Sequence, residues 1–405
     1  MDFALSEEDA AIRETVRSFI TREVMPLEDE VLRRERQGLP GVTRETLREL
    51  QGKARAFGFW GLSTPTEYGG MDLSAITQSL IWTEAGRCIV PFQFGGEADN
   101  ILYYANDAQR AEFLVPTIEG ERLSCFALTE PGAGSDAANI TMTAKKDGND
   151  WVLRGEKTFI TGGNDADFAI VIAVTDPERG ARNGGATAFL VDRAMGWTSS
   201  PIETMGPATP ASLHFDDVRV PARNILGEMG QGFDLGMEWI VAGRWRIPAW
   251  AVGIAERALS MAVEYANTRE TFGATIGTNQ AIAWMIADSH VELEAARSLV
   301  LRAAWTADRL GFGRRADAPA AGNTKAAAAD IRHAAAMAKL YAAGMVNRVV
   351  DRALQIHGGM GYTRELPLER MYRQVRLIRI YEGTDEMQRL ILSRDLLRGY
   401  AKVGT

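Results

Sequence analysis

Cysteine is nearly missing: the chain has two, Cys88 and Cys125. That excludes a disulfide framework and every zinc spacing, and it fits a reducing compartment. The four histidines, His214, His290, His333 and His357, share no ligand spacing, so no metal site is expected. No Gly-x-Ser-x-Gly elbow and no Ser-His-Asp order points to nucleophilic catalysis. No long Lys/Arg run appears and the net charge is −8, which argues against nucleic acid as a partner. No apolar run is long enough for a membrane span. The opening Met1-Asp2-Phe3-Ala4-Leu5-Ser6-Glu7-Glu8 lacks both a basic signal-peptide start and Arg-rich transit character. A cytoplasmic protein is expected.

With 405 residues, 46% hydrophobic and 24% charged, the chain can build several sizeable cores. Residues 1–122 read as an N-terminal α-helical domain. Ser6 caps a helix carrying Ile12, Val16, Phe19 and Ile20, and Thr43 starts another. A third, Leu73 to Ala85, turns Ile76, Leu80 and Ile81 inward, and Trp82, Phe92 and Phe94 read as core. Residues 123–228 read as a middle antiparallel β-domain or barrel. Its strands are Leu123–Thr129, Thr141–Lys145, Trp151–Leu153, Lys157–Thr161, Phe168–Val174, Ala186–Val191 and Ser212–Phe215, with a turn at Gly155-Glu156. Residues 229–405 read as a C-terminal helical bundle. Ala281–Arg309 is one long helix, 311–322 a loop, and Thr324 caps another helix that ends at Gly358-Gly359-Met360-Gly361.

The chemistry gathers at Arg379-Ile380-Tyr381-Glu382-Gly383-Thr384-Asp385-Glu386-Met387-Gln388-Arg389. An apolar run ends at one carboxylate, Glu382, beside a Gly that allows a bend or a close approach. Thr384 or Asp385 then N-caps a new helix. Apolar neighbours raise a carboxylate's pKa towards working pH, and flanking helices fix where it points. A general base needs both.

This segment closely resembles the C-terminal signature of the acyl-CoA dehydrogenases. A second stretch, Phe126-Ala127-Leu128-Thr129-Glu130-Pro131-Gly132-Ala133-Gly134-Ser135-Asp136, is similar to that family's flavin- and substrate-contacting loop. It is no Rossmann fingerprint, because no βαβ unit surrounds it. Gly155-Glu156-Lys157-Thr158-Phe159-Ile160-Thr161-Gly162-Gly163, Arg269-Glu270-Thr271-Phe272-Gly273 with Asn279-Gln280-Ala281, and Gln355-Ile356-His357-Gly358-Gly359 resemble further family segments. The family most often has Trp where Phe159 stands. Phe keeps the π-face and loses the indole N–H.

The resemblance implies the α+β acyl-CoA dehydrogenase fold in three domains, with FAD as cofactor. It implies that the enzyme dehydrogenates an acyl-CoA to a trans-2-enoyl-CoA, with Glu382 as α-proton base and the flavin as hydride acceptor. FAD contacts are implied for Phe126, Leu128, Thr129, Gly134, Ser135, Phe159, Ile160, Thr161, Arg269, Thr271, Phe272, Gln280, Thr384 and Glu386. Gln355, Gly358 and Gly359 would reach the FAD of a neighbouring subunit. Substrate contacts are implied for Ser135, Val241, Arg244, Tyr381, Glu382 and Gly383. Some branches keep the base at the residue before Arg244; here that residue is Gly243, so Glu382 is the only matching candidate. Trp239 and Trp250 are candidates for narrowing the acyl end. The implied partners are an electron-transfer flavoprotein as oxidant and further copies in a homotetramer or dimer. An acyl-CoA oxidase or flavin monooxygenase on the same fold, or a non-catalytic subunit of a hetero-oligomer, are the alternatives.

Overall fold

A computed structural model describes residues 4–311 and 325–403, with side chains omitted for 325–328. Residues 312–322 of the loop expected at 311–322, and the Thr324 cap, lie outside the described residues. Two compact units form, one from Met1–Phe59, Asp72–Phe94 and Gly243–Thr405, the other from Trp60–Met71 and Gly95–Ala242.

The first unit is helical. Helix α1 (Glu7–Phe19) is capped by Ser6, whose Oγ accepts from the Asp9 N–H at 3.0 Å. After α2 (Glu28–Arg36), α3 (Arg44–Ala56) is capped by Thr43 as expected, and α4 (Ala75–Gly86) by Ser74. These hydroxyls satisfy N–H groups that no helix turn can reach. Helix α4 is buried almost all round, so its residues do not sort into one apolar face. Helix α5 (Gly232–Thr268) joins this unit from Gly243 onward, followed by α6 (Gln280–Arg309), α7 (Lys325–His357), α8 (Leu368–Val375) and α9 (Asp385–Leu397).

Alanines dominate where these helices meet: Ala249, Ala255, Ala258, Ala303, Ala338 and Ala342 have no exposed surface. Small side chains let the helix axes come close. The tightest approach is between α4 and α5. A Cβ on Gly253 would stand 1.9 Å from the Thr83 carbonyl oxygen, and one on Gly86 2.2 Å from that of Trp250. The Thr83 hydroxyl donates to the Ala249 carbonyl at 3.2 Å. This backbone-on-backbone contact anchors α5 within three turns of Gly243 and Arg244. Pro248 lies between, and having no N–H it leaves the Arg244 carbonyl without its helical partner. No helix among the described residues is long and apolar enough to cross a membrane.

The second unit is built on a sheet of β1 (Ser124–Ala127), β2 (Thr143–Asp147), β3 (Asp150–Ile160), β4 (Phe168–Val174), β5 (Ala186–Asp192), β6 (Thr198–Pro201), β7 (Ala211–Pro221) and β8 (Ile225–Leu226). The order is β6-β7-β3-β2-β4-β5-β8, with β1 alongside β4. Pairing is antiparallel except that β1 and one residue of β2 run parallel to β4. Strand β4 is buried on both faces. Phe168, Ile170 and Ile172 enter one core, while Ala169, Val171 and Ala173 enter another. That explains its unbroken apolar run.

The turn expected at Gly155-Glu156 is not one. Residues 150–160 make a single strand, with a register shift between Leu153 and Gly155. Gly155 takes φ 146°, and a Cβ there would meet Met142 at 2.8 Å. Glycine here makes a bulge against a close neighbour rather than a chain reversal.

Candidate active site

Glu382 sits in a turn between a short 3-10 segment, Arg376–Arg379, and α9. Thr384 is the N-cap of α9, its hydroxyl accepting from the Met387 N–H at 3.3 Å. Two successive residues are left-handed, Glu382 at φ 54° and Gly383 at φ 88°. Gly383 also needs its bare Cα, because a Cβ would meet Gln388 Nε2 at 2.8 Å and Arg244 Nη2 at 3.2 Å. For a glutamate this conformation costs on the order of 1–3 kcal/mol and persists only when neighbours over-determine it. They do. The Glu382 carbonyl accepts from Arg244 Nε at 3.0 Å and from Gln388 Nε2 at 3.2 Å, and Gln388 also holds the Gly383 carbonyl at 2.9 Å.

The strained turn aims the carboxylate at α5. A Cβ on Gly243 would lie 3.2 Å from Glu382 Cδ and 3.3 Å from Oε2. Oε2 is buried with no hydrogen-bond partner among the described residues. Burial raises the Glu382 pKa to about 7, the largest effect, against the downward pull of Arg244, Arg246 and Lys339. Burial likewise lowers Arg244 and raises Tyr381. The carboxylate is therefore close to its titration point near neutral pH, and its buried Oε2 has no competing donor among the described residues.

Sequence reasoning missed the layer beneath this turn. Gln388 and Asp385 are buried, Asp385 accepts from Arg379 Nε at 2.7 Å, and Lys339 of α7 has no exposed surface. One signal was available: Lys339 is a lone charge within Ala334-Ala335-Ala336-Met337-Ala338-Lys339-Leu340.

Elsewhere in this unit, Arg269, Phe272 and Gln280 are exposed, with Thr271 and Phe272 in a small hairpin of β9 (Glu270–Thr271) and β10 (Ala274–Thr275). Phe272 is 108% exposed at φ 51°. Gln355, Gly358, Gly359 and Glu386 are also exposed. Among the described residues, and apart from their chain neighbours, no atom lies within 4 Å of where a Cβ on Gly358 or Gly359 would stand.

In the β-unit, Phe126 stacks on Trp239 with centroids 4.3 Å apart, and the Trp239 indole donates to Asp99 at 2.6 Å. Thr129 and Val241 are half-buried; Gly134, Ser135 and Thr161 are exposed. Leu128 and Ile160 send their side chains into the cores, so only their backbones remain available to a ligand. Phe159 is 63% exposed at φ 58°, beside a register shift in β3. Beside this shift its ring is turned outward. Of the five non-glycine residues with positive φ among those described, Phe159, Phe272 and Glu382 are candidate site residues. Strain of this kind gathers at functional positions.

Beneath the Glu130–Asp136 loop lies a buried ion pair. Lys157 Nζ donates to Glu130 Oε1 at 2.8 Å and to the Leu128 carbonyl at 2.9 Å. Glu130 also accepts from the Thr141 N–H at 2.7 Å and the Met142 N–H at 3.0 Å. Burial lowers Lys157, while Lys157 and the backbone donors hold Glu130 below the usual carboxylate range despite its own burial. Fully bonded, the pair stays ionised at neutral pH.

Three family models match the chain: the acyl-CoA dehydrogenase N-terminal domain over residues 6–121, the middle domain over 125–218 and the C-terminal domain over 230–397. A 3-(aryl)acrylate reductase of Clostridium sporogenes is 36% identical over 97% of this chain and 99% of its own. A subunit of a caffeyl-CoA reductase-Etf complex of Acetobacterium woodii is 36% identical over 97% and 99%. Among solved structures, butyryl-CoA dehydrogenase of Megasphaera elsdenii shares 33% identity at a TM-score of 0.83, covering 98% of this chain and 100% of its own.

Proposed function

The chain belongs to the acyl-CoA dehydrogenase family, and on that premise we propose that it is an FAD-dependent enzyme dehydrogenating an acyl-CoA thioester to a trans-2-enoyl-CoA, with Glu382 as the base. One observation carries this: a desolvated carboxylate near its titration point, held by a strained turn, with one oxygen unbonded. The residues fit FAD by their chemistry. Arg269 and Gln280 offer exposed donors suited to phosphate oxygens, and Thr161 offers a hydroxyl. Phe159 and Phe272 offer outward-turned rings, and Gly358 and Gly359 leave room for backbone approach. We assign the remaining contacts as the family resemblance implies, including the homotetramer, electron-transfer flavoprotein as oxidant, and functional divisions near residues 122 and 228.

Bound FAD supplies the hydride acceptor for the β-carbon. The protein's own task is the α-proton. The Glu382 N–H makes no hydrogen bond among the described residues and donates to the thioester carbonyl, making the α-proton more acidic. Glu382 Oε2 takes that proton. Arg244 and Gln388 hold the Glu382 carbonyl, so the carboxylate keeps its aim. Relatives named as reductases support a second direction for the same site: protonated Glu382 would return its proton to the α-carbon of an enoyl or arylacryloyl thioester, while the β-carbon would take its hydride from FAD bound in its reduced form. Anaerobic titration with butyryl-CoA, longer acyl-CoAs and arylpropionyl-CoAs tests both readings. Bleaching of the flavin by one class establishes dehydrogenation and names the acyl group; no bleaching by any overturns the proposal.

Two further outcomes are expected. The acid limb of kcat/KM should show an apparent pKa of about 7, because below it Glu382 is protonated and cannot accept. A limb near the ordinary carboxylate value would contradict the desolvated base. Gly243→Ala should lower kcat about tenfold by pressing the carboxylate aside, without lowering Tm, since Ala is the better helix former. Unchanged turnover in this variant would show that the carboxylate does not work against α5.

A further inference from the structure

Lys339 is fully buried on α7, in a stretch where Ala335, Ala336, Ala338, Ala342 and Ala343 are fully buried too. Burying an ammonium costs several kcal/mol unless it is paired and hydrogen-bonded. Lys157 shows what a well-made buried lysine looks like here, with two acceptors within 2.9 Å. Lys339 does not match it. Its neighbouring carboxylate, Asp385, brings Oδ1 only to 3.6 Å, while its other oxygen, Oδ2, accepts from Arg379 Nε at 2.7 Å. Lys339 Nζ, Asp385 Oδ1, Gln388 Oε1 and Glu382 Oε2 are all buried, each without a hydrogen-bond partner among the described residues. Three of these atoms belong to the residues that form and brace the Glu382 turn.

The pairing of α7 with α9 makes this placement rigid. Arg332 reaches Asp395 at 2.8 Å further along the two helices, while Lys339 faces Asp385 at the first turn of α9. An ammonium buried there without full pairing acts on nearby charges with little screening by solvent.

We propose that Lys339 is a positioning residue for the proton transfer: its buried charge, set against Asp385 three residues past Glu382 and out of contact with substrate, favours the ionised form of the base. The inference rests on the reading of Glu382 as that base. Other charged and titratable groups face the same turn: Arg244 and Arg246 on α5, Asp385 with Arg379, Tyr381, and Arg332 with Asp395. Burial pushes Glu382 up, and Arg244, Arg246 and Lys339 pull it down. Burial brings Lys339 itself to about 8, with Asp385 as the main opposing influence and Glu382 a weaker one. Lys339 is thus mostly charged at neutral pH, and its charge favours the ionised base.

The test is a pair of pH titrations on the FAD-loaded Lys339→Met variant, close in volume and uncharged. One is the acid limb of kcat/KM; the other follows the protonated carboxyl band of Glu382 by difference infrared spectroscopy, assigned with Glu382→Gln. Both should move up by roughly one pH unit, and Lys339→Arg should bring both back. A purely structural role would lower activity or Tm and leave both values where they were; that result overturns the proposal. If Lys339→Met does not fold, Lys339→Gln carries the same prediction with a polar group kept in place. A wild-type enzyme lacking the acid limb, or an active Glu382→Gln, would instead defeat the reading of Glu382 as base.

Discussion

Glu382→Gln should lower turnover by at least about 10³-fold while FAD content and acyl-CoA affinity stay close to wild type. Glutamine has the same shape and cannot take a proton. The contacts that hold the turn go to the Glu382 backbone carbonyl, from Arg244 and Gln388, so the substitution leaves them in place. Rapid anaerobic mixing with the best acyl-CoA would show binding with almost no bleaching. Near-native bleaching would sink the assignment.

The same substitution carries a stability signature. The folded-state pKa of Glu382, about 7, lies above the ordinary value of 4.5. The folded state therefore binds the proton more tightly than the unfolded one. The resulting stabilisation is complete below the unfolded pKa and is lost as pH rises through about 7. Glutamine has no proton to lose. The Tm difference, variant minus wild type, should grow in favour of the variant between roughly pH 4.5 and 7.5. A difference independent of pH would mean the carboxylate is not desolvated.

Lys157→Met should cost about 3–5 kcal/mol of stability. Glu130 would keep its backbone donors and lose the Lys157 ammonium, leaving a buried charge uncompensated. The Leu128 carbonyl would lose its ammonium donor as well. Because Glu130 opens the loop bearing Gly134 and Ser135, FAD retention should fall along with the unfolding midpoint. The double variant Lys157→Met with Glu130→Met should recover much of the loss, since apolar groups of similar size leave no buried charge. Urea unfolding of the single and double variants decides the matter. A single-variant loss below about 1 kcal/mol, the range of an exposed pair, would mean the pair is hydrated in solution.

Much of this protein was written in local patterns. Caps at Ser6 and Thr43, and the 30-residue helix Gln280–Arg309, follow from hydroxyl placement and apolar period. The uninterrupted apolar run 168–174 makes a doubly buried strand. The acyl-CoA dehydrogenase family was legible because its signatures are short contiguous segments, and Thr384 capping α9 was readable beside Glu382.

Other features depend on groups far apart in the chain. Gly155 reads locally as a turn residue, and only Met142 across the sheet makes it a bulge. Phe159 reads as an ordinary strand position; its outward ring stands beside a register shift. Gly243 reads as an absent base; the fold sets its bare Cα against the Glu382 carboxylate, where a side chain would crowd it. Lys339 and Gln388 carry no signal that ties them to Glu382, 43 and 6 residues away in sequence. Periodicity and capping are set by neighbours within a turn or two, and the sequence determines them by itself. The aim and desolvation of Glu382 come from helices α5, α7 and α9 packing around one turn, so only the tertiary structure could decide them.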